Sequence, residues 1–168
     1  PDIATFGKAM AAGMPISAVA GKKEIMDLLL SRRVVGAGTF NGYELGVAAA
    51  LATIEILERD NGAFYRKIDA IQTRLTDGLQ AISRKHGTPM MIPGETGVFY
   101  VFFLDKEVAY SARDLVGENV QRKAKFLELL TEGGVLPLGG GRFYVCGALT
   151  ESDVDKTLEV VDRVLGKC

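Results

Sequence analysis

The most regular pattern in the chain is helical, with apolar residues three and four positions apart. It predicts a short helix over Lys22–Leu30 and a long helix over Tyr43–Arg59. The long helix is apolar on nearly all sides, so we expect it to be mostly buried. Asn61 and Gly62 break the pattern, and a second long helix follows. Its apolar face carries Phe64, Ile68, Ile71, Leu75, Leu79 and Ile82.

Runs of β-branched and aromatic residues predict the strands. The strongest run is Val98–Leu104, and Ile16–Gly21 is a shorter candidate made of small residues. Near the end of the chain, Val135–Leu138 and Arg142–Ala148 flank the triplet Gly139–Gly141. Because this spacing is that of a hairpin, we expect the two strands to pair antiparallel across a glycine turn.

Two further helices are predicted in the second half of the chain. One begins at about Ala112 or Glu118 and ends at Thr131, before a pair of glycines. The other begins at Thr150, which has the spacing of a capping box with Asp153. Beyond residue 60 the order is therefore helix, strand, helix, strand pair, helix. This order predicts an α+β layer with helices packed on one face of a small, mainly antiparallel sheet.

The two ends of the chain differ in how much core they can build. Residues 1–45 hold too little apolar surface to close a core alone, and we interpret them as the end of a larger α/β domain. Residues 46–168 include the long connecting helix and have about the smallest comfortable size for a domain. We therefore predict an α/β protein in which the end of one domain precedes a small C-terminal α+β domain.

Composition and charge exclude several classes of function. The 168 residues carry 20 basic and 21 acidic side chains, a net charge of -1, which leaves no basic face for a nucleic acid. No apolar run approaches the roughly 20 residues that cross a bilayer. Cys146 and Cys168 lie far apart and His86 is the only histidine, so we expect neither a disulfide framework nor a metal site. Such cysteine usage is typical of the reducing cytoplasm.

The first candidate for chemistry is Lys8. It lies within residues 5–15, among glycines, alanines and methionines, just before the short strand candidate. A lysine amine attacks a carbonyl only when neutral, so its ordinary pKa of about 10.4 must be lowered by burial or by a nearby cation. The small apolar neighbours are suited to that, and they leave room for a cofactor against the backbone.

Two other candidates are the pair Gly38-Thr39 and Arg142. A hydroxyl and a backbone N–H beside glycines can approach a phosphate closely, although taken alone the pair is only part of a turn. Arg142 precedes a predicted strand, and a guanidinium grips a carboxylate through two parallel hydrogen bonds. The competing interpretation of Arg142 is an exposed arginine in a salt bridge.

Residues 2–21 together with Gly38-Thr39 resemble the lysine region of class III aminotransferases. This family depends on pyridoxal 5'-phosphate and includes ω-amino-acid transaminases and glutamate-1-semialdehyde aminomutase. The resemblance implies that Lys8 is the catalytic lysine that forms a Schiff base with the cofactor. It implies that Thr39 contacts the cofactor phosphate of the neighbouring subunit, so that the protein acts as a homodimer on small amine and oxo substrates. It also implies the C-terminal part of a fold-type I transferase, with residues 1–45 ending the large cofactor-binding domain.

The chain departs from the family pattern in two places. Tyr43 and Glu44 stand where the family usually has Asn-Pro, and Ala148 stands where a histidine is often found. In the family, the remaining cofactor-binding residues lie upstream of the lysine, whereas this chain begins at Pro1. We therefore expect that it is processed or cut from a longer protein and that it is inactive by itself.

Three functions remain open from the sequence. The first is amino-group transfer between an amine or amino acid and an oxo acid or aldehyde. The second is the aminomutase reaction, which moves the amino group within one molecule, and the residues around Lys8 are compatible with both. The third is a non-catalytic fragment that serves as a folding or dimerisation module.

Overall fold

The computed structural model describes all of residues 1–168 and separates them into two units, Pro1–Phe64 and Tyr65–Cys168. The predicted domain boundary after residue 45 lies inside the first unit. The assignment of residues 1–45 to a larger domain stays a prediction. None of the helices combines the length and apolar character that crossing a membrane requires.

The first unit begins with an antiparallel hairpin. Strand β1 (Ile3–Phe6) pairs with β2 (Ala18–Gly21), and the first residue of β1 lies opposite Gly21. A Cβ on Gly21 would lie 2.7 Å from the carbonyl oxygen of Asp2, so only glycine fits this approach. The strand predicted over Ile16–Gly21 is confirmed in its C-terminal part. Strand β1 lies outside the sequence prediction, although its residues favour β structure.

The helices that follow agree with the apolar periodicity. Helix α1 covers Lys23–Leu30, and the helical segment α2 covers Glu44–Lys85. The break predicted within α2 is confirmed, because Asp60, Asn61 and Gly62 adopt left-handed φ values of 51°, 57° and 75°. Three such residues in succession cannot continue a right-handed helix.

The first half of α2 is not buried, contrary to the prediction. Among its residues only Gly46 and Ala50 are buried, whereas Leu45 and Leu51 are each 63% exposed. An apolar pattern predicts that a helix face will be buried, but it does not specify which element buries it. No other element of the first unit covers this face, so its apolar side chains stay exposed.

The second unit packs helices against a three-stranded antiparallel sheet, which confirms the predicted α+β layer. Its elements are β3 (Gly94–Glu95), β4 (Val98–Tyr100), α3 (Val120–Glu132), β5 (Arg142–Tyr144) and α4 (Glu151–Leu165). The strands pair in the order β3-β4-β5, and Phe103, just after β4, meets Phe126 of α3 edge-on with ring centroids 5.2 Å apart. The apolar face predicted for the second half of α2 is buried at Ile68, Leu75 and Leu79.

Strand β4 is shorter than the predicted strand Val98–Leu104. After its regular pairing ends, the amide of Val101 donates to the carbonyl of Gly141 at 2.9 Å. Phe102 then forms an isolated bridge with Met91. The chain stays extended here, but the partner changes from residue to residue, so no continuous ladder forms.

The prediction of a C-terminal strand pair is wrong in its pairing. Val135–Leu138 forms no strand, and its end makes only a single bridge from Leu138 to Arg142 across the glycine turn. Strand β5 pairs with β4 instead, with Arg142 opposite Tyr100. The glycine turn was expected to decide the pairing, but the aromatic strand β4 supplies the longer ladder.

Helix α4 begins as the capping-box spacing predicts. The Asp153 amide donates to the hydroxyl of Thr150 at 3.3 Å, and the Asp153 carboxylate accepts from the Thr150 amide at 2.8 Å. Charged side chains then link α4 to the second half of α2. Lys85 and His86, at the end of α2, both contact the carboxylate of Asp162. His86 follows directly after α2, and its Nε2 lies 2.7 Å from the Asp162 carboxylate.

Candidate active site

Lys8 lies between β1 and β2, at the first position of a single turn of 3-10 helix over Lys8–Ala11. Its φ of +54° lies in the left-handed region, as does the φ of +50° of Ala12 at the end of the turn. Such a conformation costs a residue with a side chain roughly 1–2 kcal/mol. The turn is anchored by Ala11, which is fully buried. Strained backbone of this kind concentrates at functional sites.

The amine of Lys8 has no partner within the chain. The side chain is exposed and forms neither a hydrogen bond nor a salt bridge. The nearby lysines differ, since Lys22 pairs with Asp2 at 2.5 Å and Lys23 with Asp27 at 2.6 Å. The small apolar residues around Lys8 in the sequence predicted a desolvated amine. Within this chain the amine is exposed, because its neighbours are too small to cover it.

An open depression of about 540 Å³ lies beside Lys8 and is lined by Ala9 and residues 12–16. Three of these residues, Ala9, Ala12 and Gly13, have small side chains or none. The depression therefore offers a free amine and accessible space, which is the combination that a carbonyl-bearing cofactor needs.

Thr39 lies in the exposed loop that leads into α2. Neither its hydroxyl nor its backbone N–H has a hydrogen-bond partner within the chain. Asn41 shapes this loop, because its side chain donates to the carbonyl of Gly36 and its amide donates to the carbonyl of Gly38, each at 3.0 Å. A Cβ on Gly38 would lie 2.8 Å from the side-chain oxygen of Asn41, so a larger residue at this position would displace the Asn41 side chain.

Lys8 and Thr39 line separate depressions of one chain. The depression at Thr39 has a volume of about 300 Å³ and is otherwise lined by residues 40–45. Among these is Tyr43, which departs from the family pattern and packs over Gly46. The structure therefore does not bring the predicted amine and the predicted phosphate contact into one pocket of a single copy.

Arg142 lies in the second unit, at the start of β5. It is half-buried and forms no salt bridge, so the expected exposed ion pair is absent. Its Nη1 donates to the phenol oxygen of Tyr144 at 3.2 Å, and this hydrogen bond raises the pKa of the Arg142 guanidinium. Sequence reasoning did not include Tyr144 or Tyr100 in this site. The signal available was their alternation with apolar residues along the two strands.

The fold and the lysine turn together define a class of protein. A hairpin that carries a free lysine is followed along the chain by a glycine-rich loop and then by an α+β unit with an antiparallel sheet. Residues 1–165 match the family described as Aminotransferase class-III, and the chain belongs to this family.

Solved structures, several of them described as transaminases, share the fold. An omega-transaminase from Sphaerobacter thermophilus matches 98% of this chain with a TM-score of 0.87 and 21% identity. The FumI protein of Sphingopyxis sp. MTA144, described as a PLP internal aldimine form, matches 99% with a TM-score of 0.81 and 27% identity. A beta-phenylalanine aminotransferase from Variovorax paradoxus matches 99% with a TM-score of 0.80 and 22% identity.

The chain spans 38%, 37% and 38% of the length of these three structures. The predicted family and the predicted fold, the C-terminal part of a fold-type I transferase, are confirmed. Pyridoxal phosphate is likewise confirmed as the cofactor of the family, since FumI and a further matching transaminase are described with PLP.

Proposed function

We propose that this chain is the C-terminal part of a pyridoxal-phosphate-dependent aminotransferase. The enzyme transfers an amino group between an amine or amino acid and an oxo acid or aldehyde. The observation that carries the proposal is the amine of Lys8, which has no partner and lies on a strained turn of small residues. The family match over residues 1–165 supports the same assignment.

The residues of this chain fit one part of pyridoxal phosphate, its aldehyde end. When bound, pyridoxal phosphate supplies an aldehyde that captures amines and a ring that withdraws electrons from the substrate. Lys8 would hold the aldehyde-bearing end through its Nζ. The same Nζ would move the proton between the reacting carbon of the substrate and the cofactor, as amino-group transfer requires. The open depression beside Lys8 leaves space for both groups.

Thr39 completes the site of a second copy in this proposal. Its free hydroxyl and free N–H are the donors that a phosphate needs. The separation of the Lys8 and Thr39 depressions within one chain supports a contact across a homodimer, in which each copy provides Thr39 to the cofactor phosphate of the other. Gly38 allows the loop backbone to come close to that phosphate.

The rest of the site belongs to a longer parent protein in this proposal. Residues 1–45 end the large cofactor-binding domain of that parent, and residues 46–168 form its small domain. The share of the matching structures that the chain spans, 38%, supports this view. So do the exposed apolar side chains of α2, such as Leu45 and Leu51. We expect the chain alone to be inactive, and we place the parent in the cytoplasm because both cysteines are free thiols.

Borohydride reduction in the presence of pyridoxal phosphate tests the role of Lys8. In the complete parent, peptide mass mapping should find a pyridoxyl group on Lys8 in the wild type and in Lys22→Ala, a control lysine of the same unit. Lys8→Ala should lose both the group and turnover. Normal turnover in Lys8→Ala, or a wild-type parent without the group on Lys8, would refute the proposal. Isomerisation of an amino aldehyde without an external acceptor would identify an aminomutase instead.

Replacement of Thr39 tests the phosphate contact. Thr39→Ala should weaken cofactor binding about tenfold or more, because a hydrogen bond to a charged group contributes about 1.5–3 kcal/mol. Thr39→Ser keeps the hydroxyl and should bind nearly as the wild type does. The measurement is the dissociation constant of pyridoxal phosphate by absorbance titration of the parent. Equal affinity in all three proteins would remove Thr39 from the site.

A further inference from the structure

Asn41 holds the loop that carries Thr39 by two hydrogen bonds. Its side-chain Nδ2 donates to the carbonyl of Gly36, and its backbone N–H donates to the carbonyl of Gly38, each at 3.0 Å. The side chain also lies close against Gly38, since a Cβ there would be 2.8 Å from its Oδ1. Asn41 therefore ties the segment before Thr39 to the segment after it.

The same hydrogen bonds separate the donors of the loop from its acceptors. The backbone N–H groups of Gly38, Thr39 and Phe40 have no acceptor within the chain. The carbonyls of Gly36 and Gly38 are instead bonded to Asn41. A carbonyl oxygen carries partial negative charge and repels an anion, whereas free N–H groups attract one. The loop therefore offers free donors to an anion while two of its carbonyls are already bonded.

An asparagine side chain is suited to this task, because its amide donates a hydrogen bond and carries no charge. An aspartate has the same shape, but in its ionised form it has no donor for the Gly36 carbonyl. It also adds a negative charge beside the loop. Thr39 differs from Asn41, since the Thr39 side chain has no partner and does not shape the loop. Mutation can therefore separate the contact at Thr39 from the ordering by Asn41.

We propose that Asn41 is a positioning residue for the cofactor phosphate. It orders the loop of residues 36–42 before the cofactor arrives, so that binding does not have to immobilise the donors around Thr39. The inference rests on the proposed function, in which Thr39 contacts the phosphate in the site of the other copy. Asn41 acts through the loop and makes no contact with the phosphate itself.

The order of the loop is measured in the complete parent, freed of cofactor. Hydrogen–deuterium exchange at short labelling times follows the backbone amides at positions 41 and 43, which are hydrogen-bonded within the loop. Asn41→Ala should speed their exchange about fivefold, after correction for intrinsic rates, because the loop loses its side-chain hydrogen bond. Thr39→Ala should leave the exchange unchanged. So should Ser31→Ala, a control whose hydroxyl donates to the carbonyl of Leu28 outside the loop. Unchanged exchange in Asn41→Ala would overturn the proposal.

Cofactor affinity is measured with pyridoxal phosphate and with pyridoxal, which keeps the aldehyde and lacks the phosphate. In absorbance titrations of the parent, Asn41→Ala should bind pyridoxal phosphate about fivefold more weakly, and Asn41→Asp more weakly still. Both variants should bind pyridoxal as the wild type does, because Lys8 is unchanged. Ser31→Ala should match the wild type with both compounds. An equal loss of affinity for both compounds would mean that Asn41 only supports the fold, which would overturn the proposal.

Failure of this inference is distinguishable from failure of the proposed function. A parent without a pyridoxyl group on Lys8 refutes the aminotransferase function, whereas the exchange result on the cofactor-free loop stands. Weaker binding of pyridoxal phosphate in Thr39→Ala, together with unchanged binding in Asn41→Ala, overturns the positioning role alone. If Asn41→Ala does not fold, Asn41→Asp keeps the shape of the side chain and decides by the same two measurements.

Discussion

Replacement of Leu130 by alanine tests how the second unit is held together. Leu130 lies on α3 and is 0% exposed, so the truncation removes atoms that are packed on all sides. Such a change costs about 3–5 kcal/mol, of which one part is lost burial and the other the cavity left behind. Alanine has a higher helix propensity than leucine, and this difference offsets the loss of stability by at most a few tenths of a kcal/mol. Helix propensity therefore cannot explain the expected loss.

Urea unfolding followed by far-UV circular dichroism measures the effect. With a denaturant slope of about 2 kcal/mol/M, a loss of about 3 kcal/mol lowers the urea midpoint by about 1.5 M. Leu136→Ala is the matched control, because Leu136 is 84% exposed and lies in the loop that follows α3. It should change the unfolding free energy by no more than about 0.5 kcal/mol. Equal midpoints for the two variants would refute the assignment of Leu130 to the core.

Two further predictions concern α4. Thr150→Ala removes the hydroxyl that accepts from the Asp153 amide, and the unfolding free energy in urea should fall by about 1 kcal/mol, whereas Thr150→Ser should lose little. An equal loss in both variants would contradict this role. Hydrogen bonds from Lys85 and then His86 lower the pKa of the Asp162 carboxyl below its ordinary value. A carboxyl whose folded pKa is lowered stabilises the protein above its unfolded pKa, and this stability is lost as pH falls through the folded value. The wild type should thus unfold at a higher urea concentration than Asp162→Asn. The difference between the two midpoints should be larger at pH 7 than at about pH 3. A difference independent of pH would argue against the ion pair.

Helices were the most predictable part of this fold. The amphipathic pattern of the second half of α2 identified Ile68, Leu75 and Leu79 as buried, because one helix face must meet the core wherever its partner lies. The cap at Thr150 was equally local, since a capping box involves residues only three apart. The helix break at Asn61 is likewise determined by local residue types.

Strand partners were not predictable in the same way. The run Val135–Leu138 has strand composition, yet only its last residue pairs, and β5 takes β4 as its neighbour. Pairing depends on which backbone edge is available in three dimensions, and residue type does not report that. The exposed first half of α2 shows the same gap, because its apolar pattern does not say what covers it.

The amino-acid sequence by itself determined the helices, the family and the candidates Lys8, Thr39 and Arg142, because each is written in local spacing or in a contiguous motif. Only the tertiary structure decided that Lys8 lies free on a strained turn and that Thr39 lines a separate depression. It also placed Arg142 between two tyrosines without a carboxylate. These facts depend on contacts between residues that are distant in the chain, and on the absence of a neighbour, which no linear pattern encodes.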